Sequence, residues 1–214
     1  MRVGIIIPSS NTTVEIEFSK VKSSITFHYC RLRLRDVNLE ELEKMEDKIE
    51  EVSSLLSDAS VDLICYACTT GSLYKGLKHE DEIVRRIEKA SKIRAITTSR
   101  SVIEALKNLK VKRLSVATPY SNEVNLKVKN FLEENEFEIV KLRSLGLINN
   151  LDIGRLDPEV SYKLGKEAYS KDSEALFISC TNLRTFEIIQ KLEDEIRSLL
   201  YLVIQQLYGL FLKT

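Results

Sequence analysis

VDLICYACTTGS, residues Val61–Ser72, decides the fold once it is set beside EALFISCTNLRT, residues Glu174–Thr185. Each is an apolar run of strand length that ends in Cys-Thr, at Cys68 and at Cys180, and each leads through small or polar residues into a helical pattern. A second pair of echoes lies upstream of these: Val3–Asn11 reads VGIIIPSSN and Leu114–Asn122 reads LSVATPYSN. Both are strands that break at proline and pass through Ser-Asn toward a helix. Pro8 and Pro119 stand almost as far apart as Cys68 and Cys180. Two independent landmarks repeating at nearly one spacing imply an internal duplication. Two similar α/β halves are expected, each bringing one cysteine to a shared cleft.

Outward from these landmarks, strands and helices alternate. Arg2–Ile7 is a continuous apolar run suited to a strand buried on both faces. Ser9, Ser10 and Asn11 supply turn and cap chemistry ahead of a helix over Thr12–Lys20. Ile25–Leu34 reads as a strand, and Leu39–Leu56 carries apolar residues at helical spacing. Asn38 stands as its N-cap, with Glu41 in the place a capping box uses. Ser99 or Ser101 is expected to cap the helix that runs to Leu109. In the second half, a polar loop over Asn149–Pro158 leads to a helix over Glu159–Ser170, then a strand over Ala175–Ser179 and a helix over Arg184–Leu199. Alternation of this kind means parallel sheets flanked by helices, an α/β fold. The expected division is a first half over 1–97, joined by the C-terminal segment 200–214, and a second half over 98–199.

The chain has 214 residues, enough to bury a substantial core. Lys+Arg and Asp+Glu both number 32, and the charges fall in mixed runs, so nothing favours nucleic acid or an acidic membrane surface. LLYLVIQQLYGLFL near the C-terminus carries Gln205 and Gln206 and is too short to span a bilayer. It reads as a buried strand and helix, or as a subunit contact. The start, MRVGIII, enters a strand at once and lacks a signal-peptide pattern, so a cytoplasmic protein is expected. Four cysteines in such a chain do not make a disulfide framework. With seven glycines and no GxGxxG or GxxxxGK[ST], nucleotide cofactors are not expected.

In parallel sheets ligands sit beyond the carboxyl ends of the strands. Pro8-Ser-Ser-Asn11, Cys68-Thr-Thr, Pro119-Tyr-Ser-Asn122 and Cys180-Thr-Asn all fall there. A helix N-terminus favours a thiolate and lowers a cysteine's pKa. Around the two thiols, Ser10, Asn11, Thr69, Thr70, Tyr120, Ser121, Thr181 and Asn182 are neutral donors suited to a small diacid. One thiol on each side of a substrate can attack or remove a proton while the other donates one. That serves racemisation, or cis–trans isomerisation by addition and elimination, without metal or organic cofactor. The competing account of each cysteine is a small apolar filler at a buried strand end.

Cys65 and Cys68 form CxxC, but on a period of two they face opposite sides of the sheet, and no second pair completes a zinc site. His79, in KHEDE, and His28, within a strand, make no catalytic dyad. Arg184 reads equally as a carboxylate clamp or as a structural ion pair. Tyr120 points into the cleft or keeps a solvated hydroxyl at the core edge. Asn149 and Asn150 either cap their loop or reach over the cleft.

The combination of PSSNT-x-x-E-x-E with CTTGS and SCTNLRT resembles the maleate cis–trans isomerase branch of the aspartate/glutamate racemase superfamily, which also contains arylmalonate decarboxylase. The likeness runs from GIIIPSSNTTVEIE through YACTTGS, ATPY and NNLDIGR to SCTNLRT, about nine tenths of the chain. It implies two pseudo-symmetric, Rossmann-like halves around an active-site cleft. It implies Cys68 as the nucleophile that adds to the maleate double bond to give a succinyl-thioether, and Cys180 as the cysteine that exchanges a proton at the neighbouring carbon. Asn11, Tyr120 and Asn150 fall on positions that bind substrate carboxylates in that family. Arylmalonate decarboxylases keep only the second cysteine, so Cys68 argues against that activity. One departure is the region Ile196–Tyr208, where Gln205 survives and Ile204 replaces an asparagine. Homodimers or homotetramers are implied. The expected function is a cofactor-independent isomerase of a small dicarboxylate. A two-cysteine racemase or epimerase of an amino or hydroxy acid, and a non-catalytic small-acid binding protein, are the alternatives.

Overall fold

The computed structural model describes residues 1–20, 24–196 and the backbone of 199–202. Arg2–Pro8 (β1) is buried at every position but its first, as an apolar run without polar alternation requires. It pairs in parallel with Thr26–Leu32 (β2) on one side and Leu63–Tyr66 (β3) on the other, and Ala95–Thr97 (β4) pairs with β3. A second parallel sheet is built from Arg113–Tyr120 (β5), Glu138–Leu147 (β6), Ala175–Ile178 (β7) and Leu199–Leu202 (β8). The first sheet has the order β2-β1-β3-β4 and the second β6-β5-β7-β8. The echoes in the sequence are therefore echoes of topology: β1 answers to β5, and β3 to β7.

Helices Val14–Ser19 (α1), Leu39–Met45 (α2), Ile49–Asp58 (α3), Thr69–Leu73 (α4), Leu77–Ser91 (α5) and Thr98–Asn108 (α6) accompany or follow the first sheet. Asn122–Glu134 (α7), Asn150–Gly154 (α8), Pro158–Ala168 (α9) and Ile189–Ile196 (α10) accompany the second. One apolar cluster runs through both halves, from Ile5, Ile7 and Ala67 to Val116, Phe177 and Cys180. A separate cluster packs Ile6, Ile64, Tyr66 and Cys68 against Leu42, Met45 and Ile49 of α2 and α3 and Ile83 and Ile87 of α5. Cys65 belongs to the first cluster and Cys68 to the second, as residues three apart along extended backbone do.

Several local expectations are corrected. Leu39–Leu56 is not one helix: a 3-10 turn at Glu46–Lys48 interrupts it and turns the buried Glu46 carboxylate toward His79 of α5 (2.9 Å). Asn38 does cap α2, accepting from Glu41 N at 2.8 Å, but the Glu41 carboxylate reaches Arg35 N (3.3 Å). Thr97, not Ser99 or Ser101, caps α6, because it ends β4 with extended backbone and its hydroxyl accepts from Arg100 N at 3.2 Å. The loop expected over Asn149–Pro158 contains α8, and the helix expected from Arg184 begins at Ile189.

The C-terminal segment also departs from the expected division. Leu199–Leu202 pairs with β7, so residues 200–202 extend the second sheet rather than rejoin the first half. Ile204, Gln205 and the rest of 203–214 lie outside the described residues. Among the described residues, no helix is long and apolar enough to cross a membrane.

Candidate active site

The first thiol is placed by the exit from β3. After Tyr66 the chain passes through Ala67 to Cys68, whose extended backbone (φ −132, ψ 108) makes it the N-cap of α4. Its sulfur accepts from Gly71 N at 3.3 Å, and Thr70 Oγ1 lies 3.7 Å away. Cys68 is 4% exposed. Burial pushes the thiol up to about 12; the Gly71 N–H and the Thr70 hydroxyl pull it down, while charge on Cys180 and on Glu46 pushes it further up. The helix N-terminus acts in the expected direction, but desolvation outweighs it.

The second thiol is placed differently. No regular helix follows β7 directly, and Cys180 takes a positive φ of 126, a sparsely populated conformation for a residue with a side chain. The turn lets Asn182 N donate to the Cys180 sulfur at 3.3 Å. Burial raises this thiol too, opposed first by the Tyr120 phenol and then by the N–H groups of Asn182 and Leu183. Tyr120 ends β5 and is 1% exposed, with its hydroxyl 3.5 Å from Ser179 Oγ. Its phenol therefore faces Cys180 inside the protein rather than solvent.

A polar seam fixes the two strand ends against each other. Thr181 Oγ1 donates to Ala67 O (3.2 Å) and accepts from Asn11 Nδ2 (3.1 Å), so the residue before Cys68 is bonded to the residue after Cys180. Asn11 Oδ1 meanwhile accepts from Thr13 N and Val14 N, which holds the start of α1. Asn182 is 1% exposed: its Oδ1 accepts from Thr12 N (2.9 Å), and its Nδ2 donates to Asn150 O (2.6 Å) and reaches Ser10 O (3.5 Å). Asn150 Nδ2 donates to Ser10 Oγ (2.8 Å), which in turn donates to Leu34 O (2.5 Å).

The structure thus gathers Ser10, Asn11, Asn150, Thr181 and Asn182 into one network, each with at least one side-chain polar atom bonded to protein. Thr69 differs: its hydroxyl is buried and has no hydrogen-bond partner among the described residues. Asn149 is a cap, accepting from Asp152 N at 3.2 Å, whereas Asn150 is the one that reaches across to Ser10. Arg184 donates to Glu187 (2.9 Å) in a half-exposed ion pair, which is its structural option.

Two acidic residues to which the sequence motifs assign no role are buried in the structure. Glu17 is 1% exposed, and its Oε1 accepts from Thr185 N (2.7 Å) and Phe186 N (3.0 Å), tying the chain after Cys180 to α1. The signal was present, since Glu17 shares the buried face of α1 with Val14 and Phe18. Glu46 was hidden inside a charged run, and its partner His79 lies far along the chain. Among the described residues, no group of three or more His, Cys, Asp or Glu is placed to hold a metal ion.

Two parallel α/β halves of one strand order, each with a buried cysteine just past the end of its third strand, define a class of duplicated α/β proteins. The chain belongs to the arylmalonate decarboxylase family, whose model matches residues 3–207. It is 33% identical to a maleate isomerase of Pseudomonas putida over 170 residues, 73% of this chain and 68% of that one. It is 28% identical over 210 residues to a maleate isomerase of Geobacillus stearothermophilus, covering 91% of this chain and 84% of the relative. Among solved structures, a Pseudomonas putida maleate isomerase variant with maleate superposes with a TM-score of 0.90 at 25% identity, over 96% of this chain and 88% of that one. A Nocardia farcinica maleate cis–trans isomerase mutant with a covalently bound succinylcysteine intermediate has the same fold, with a TM-score of 0.90 at 23% identity and the same coverage.

Proposed function

We propose that the protein is a cofactor-independent cis–trans isomerase acting on maleate or a closely similar cis-dicarboxylate. The observation that carries this reading is the seam bond from Thr181 Oγ1 to Ala67 O, which ties the residue after one buried cysteine to the residue before the other across the two halves. The relatives named above act on maleate, and the succinylcysteine of the Nocardia farcinica protein is the adduct such a thiol would form.

In this reading the Cys68 thiolate adds to one alkene carbon, forming a C–S bond. The electron pair of the double bond takes up a proton from the Cys180 thiol at the neighbouring carbon. The new C–C single bond rotates. Cys180, now a thiolate, removes a proton from that carbon as the C–S bond breaks, and the trans alkene leaves with both cysteines restored. No electrons are gained or lost, so no redox partner is required. Thr69 Oγ1 is the hydroxyl free to meet a substrate carboxylate beside Cys68, and Tyr120 serves the Cys180 side. Asn11 and Asn150 each commit one Nδ2 hydrogen to a protein partner and have a second with which to bind a carboxylate.

The test is to incubate the reduced protein with maleate and follow fumarate by NMR. Turnover that Cys68→Ser abolishes is the expected result, and absence of turnover in the wild type would overturn the maleate assignment. One thiol per half is also what a two-base racemase needs. Deuterium entering at Cα of an amino or hydroxy acid in heavy water, with no alkene chemistry, would favour that second reading.

A further inference from the structure

Tyr66 is the last residue of β3, 1% exposed, and its hydroxyl has no hydrogen-bond partner among the described residues. Such a group calls for an explanation, because a buried hydroxyl without a partner loses its hydration and gains nothing in return. Its location supplies one. The Tyr66 hydroxyl lies 2.5 Å from the point where a Cβ would sit on Gly71, and the Cys68 sulfur lies 3.1 Å from that same point. Both atoms therefore crowd over the bare Cα of the residue whose N–H already bonds the sulfur. The other titratable and charged groups facing Tyr66 are Glu46 from the turn between α2 and α3, Tyr74 at the end of α4, and Arg86 of α5. Glu46 is itself bonded to His79.

We propose that Tyr66 is a positioning residue for Cys68, whose hydroxyl donates to the sulfur once it is a thiolate. The idea rests on Cys68 being the reactive thiol, as the proposed function has it, but not on maleate being the substrate. A donor with no partner in the neutral site, and one partner in the charged site, stabilises only the charged state. That is the arrangement by which a preorganised dipole lowers a barrier. Gly71 is the residue that permits it, since any side chain there would occupy the space shared by hydroxyl and sulfur.

The experiment is Tyr66→Phe, which keeps the ring and removes the hydroxyl. Alkylation of each cysteine is followed against pH by peptide mass spectrometry, and the melting temperature is measured alongside. The Cys68 profile should move up by about one pH unit, with about tenfold slower alkylation at a fixed pH below it. The Cys180 profile should stay where it is, and the variant should melt no lower than the wild type. An unchanged Cys68 profile would overturn the proposal. So would equal shifts at both cysteines, a lower melting temperature, or a wild-type Cys68 that no pH makes reactive. Because the readout is thiol reactivity, a protein that fails to turn over maleate can still pass, and one that isomerises maleate can still fail.

Discussion

Replacing Asn182 separates holding the halves together from binding substrate. Its Oδ1 satisfies Thr12 N at 2.9 Å and its Nδ2 satisfies Asn150 O at 2.6 Å, both from inside the protein. Asn182→Ala strands that N–H and that carbonyl at once. Each stranded buried group costs about 1–3 kcal/mol, so about 2–6 kcal/mol is expected for the pair. Asn182→Asp is the sharper variant, since it keeps the shape and the acceptor for Thr12. It turns a second oxygen, and a charge, toward the Asn150 carbonyl, so it should destabilise at least as much as alanine despite being nearly isosteric. Urea denaturation gives both values from the midpoint, provided the slope m is unchanged. An Asn182→Ala cost below about 1 kcal/mol, the range of ordinary surface changes, would refute the clamp. A residue that only touched substrate would give that small value together with a large loss of turnover.

Gly71→Ala would place a methyl 2.5 Å from the Tyr66 hydroxyl and 2.8 Å from Met45 Cε, so it should cost about 1–3 kcal/mol in a urea melt despite alanine's better helix propensity. Glu17 has its pKa raised above 4.5, chiefly by burial. Its neutral form is thus the one the fold favours: the associated stability is full below 4.5 and is lost as pH rises through the raised value. Glu17→Gln keeps an acceptor for Thr185 and Phe186, so its melting temperature should gain on the wild type from acid to neutral pH; parallel curves would count against this. Alkylation of Cys68 in the ligand-free protein should still be climbing as pH passes 9.0, the ordinary thiol value, and a plateau below that would show that burial does not govern it. Thr181→Val removes the bonds to Ala67 and Asn11 while keeping the volume, and should lower both stability and the reactivity of the two cysteines together.

The duplicated topology was legible because Pro8, Pro119, Cys68 and Cys180 mark strand ends, and strand ends in parallel sheets share both a role and a spacing. The apolar runs around them admitted one reading, as strands buried on both faces. The 3-10 turn at Glu46–Lys48 was not legible, since it goes with a contact to His79 on another helix, which no local period records. The start at Ile189, rather than Arg184, has a similar origin. The N–H groups of Thr185 and Phe186 go to Glu17, across the seam, instead of opening a helix. At the site, residue type announced which side chains would gather. Whether an amide faces a ligand or the opposite half depends on partners from distant segments, and Asn182 shows how completely such partners can occupy it.

Within the proposed reaction, the two thiols cannot be equivalent, and the structure supplies the reasons. Charge on Cys180 pushes the Cys68 thiol up, so two thiolates at once are disfavoured and the site tends to hold one negative sulfur at a time. The sulfur that carries that charge needs hydrogen-bond donors around it. Cys68 has the Gly71 N–H, a backbone donor that cannot give its proton away. Cys180 has a phenol beside it, and its backbone is held at a positive φ that aims the sulfur. A diacid entering the seam adds negative charge that raises both thiols further, unless hydroxyl donors such as Thr69 absorb it. Substrate binding and thiolate formation therefore draw on the same few neutral donors. In the proposed reading, that shared demand accounts for a diacid site lined, among the described residues, by hydroxyls and amides held in a network.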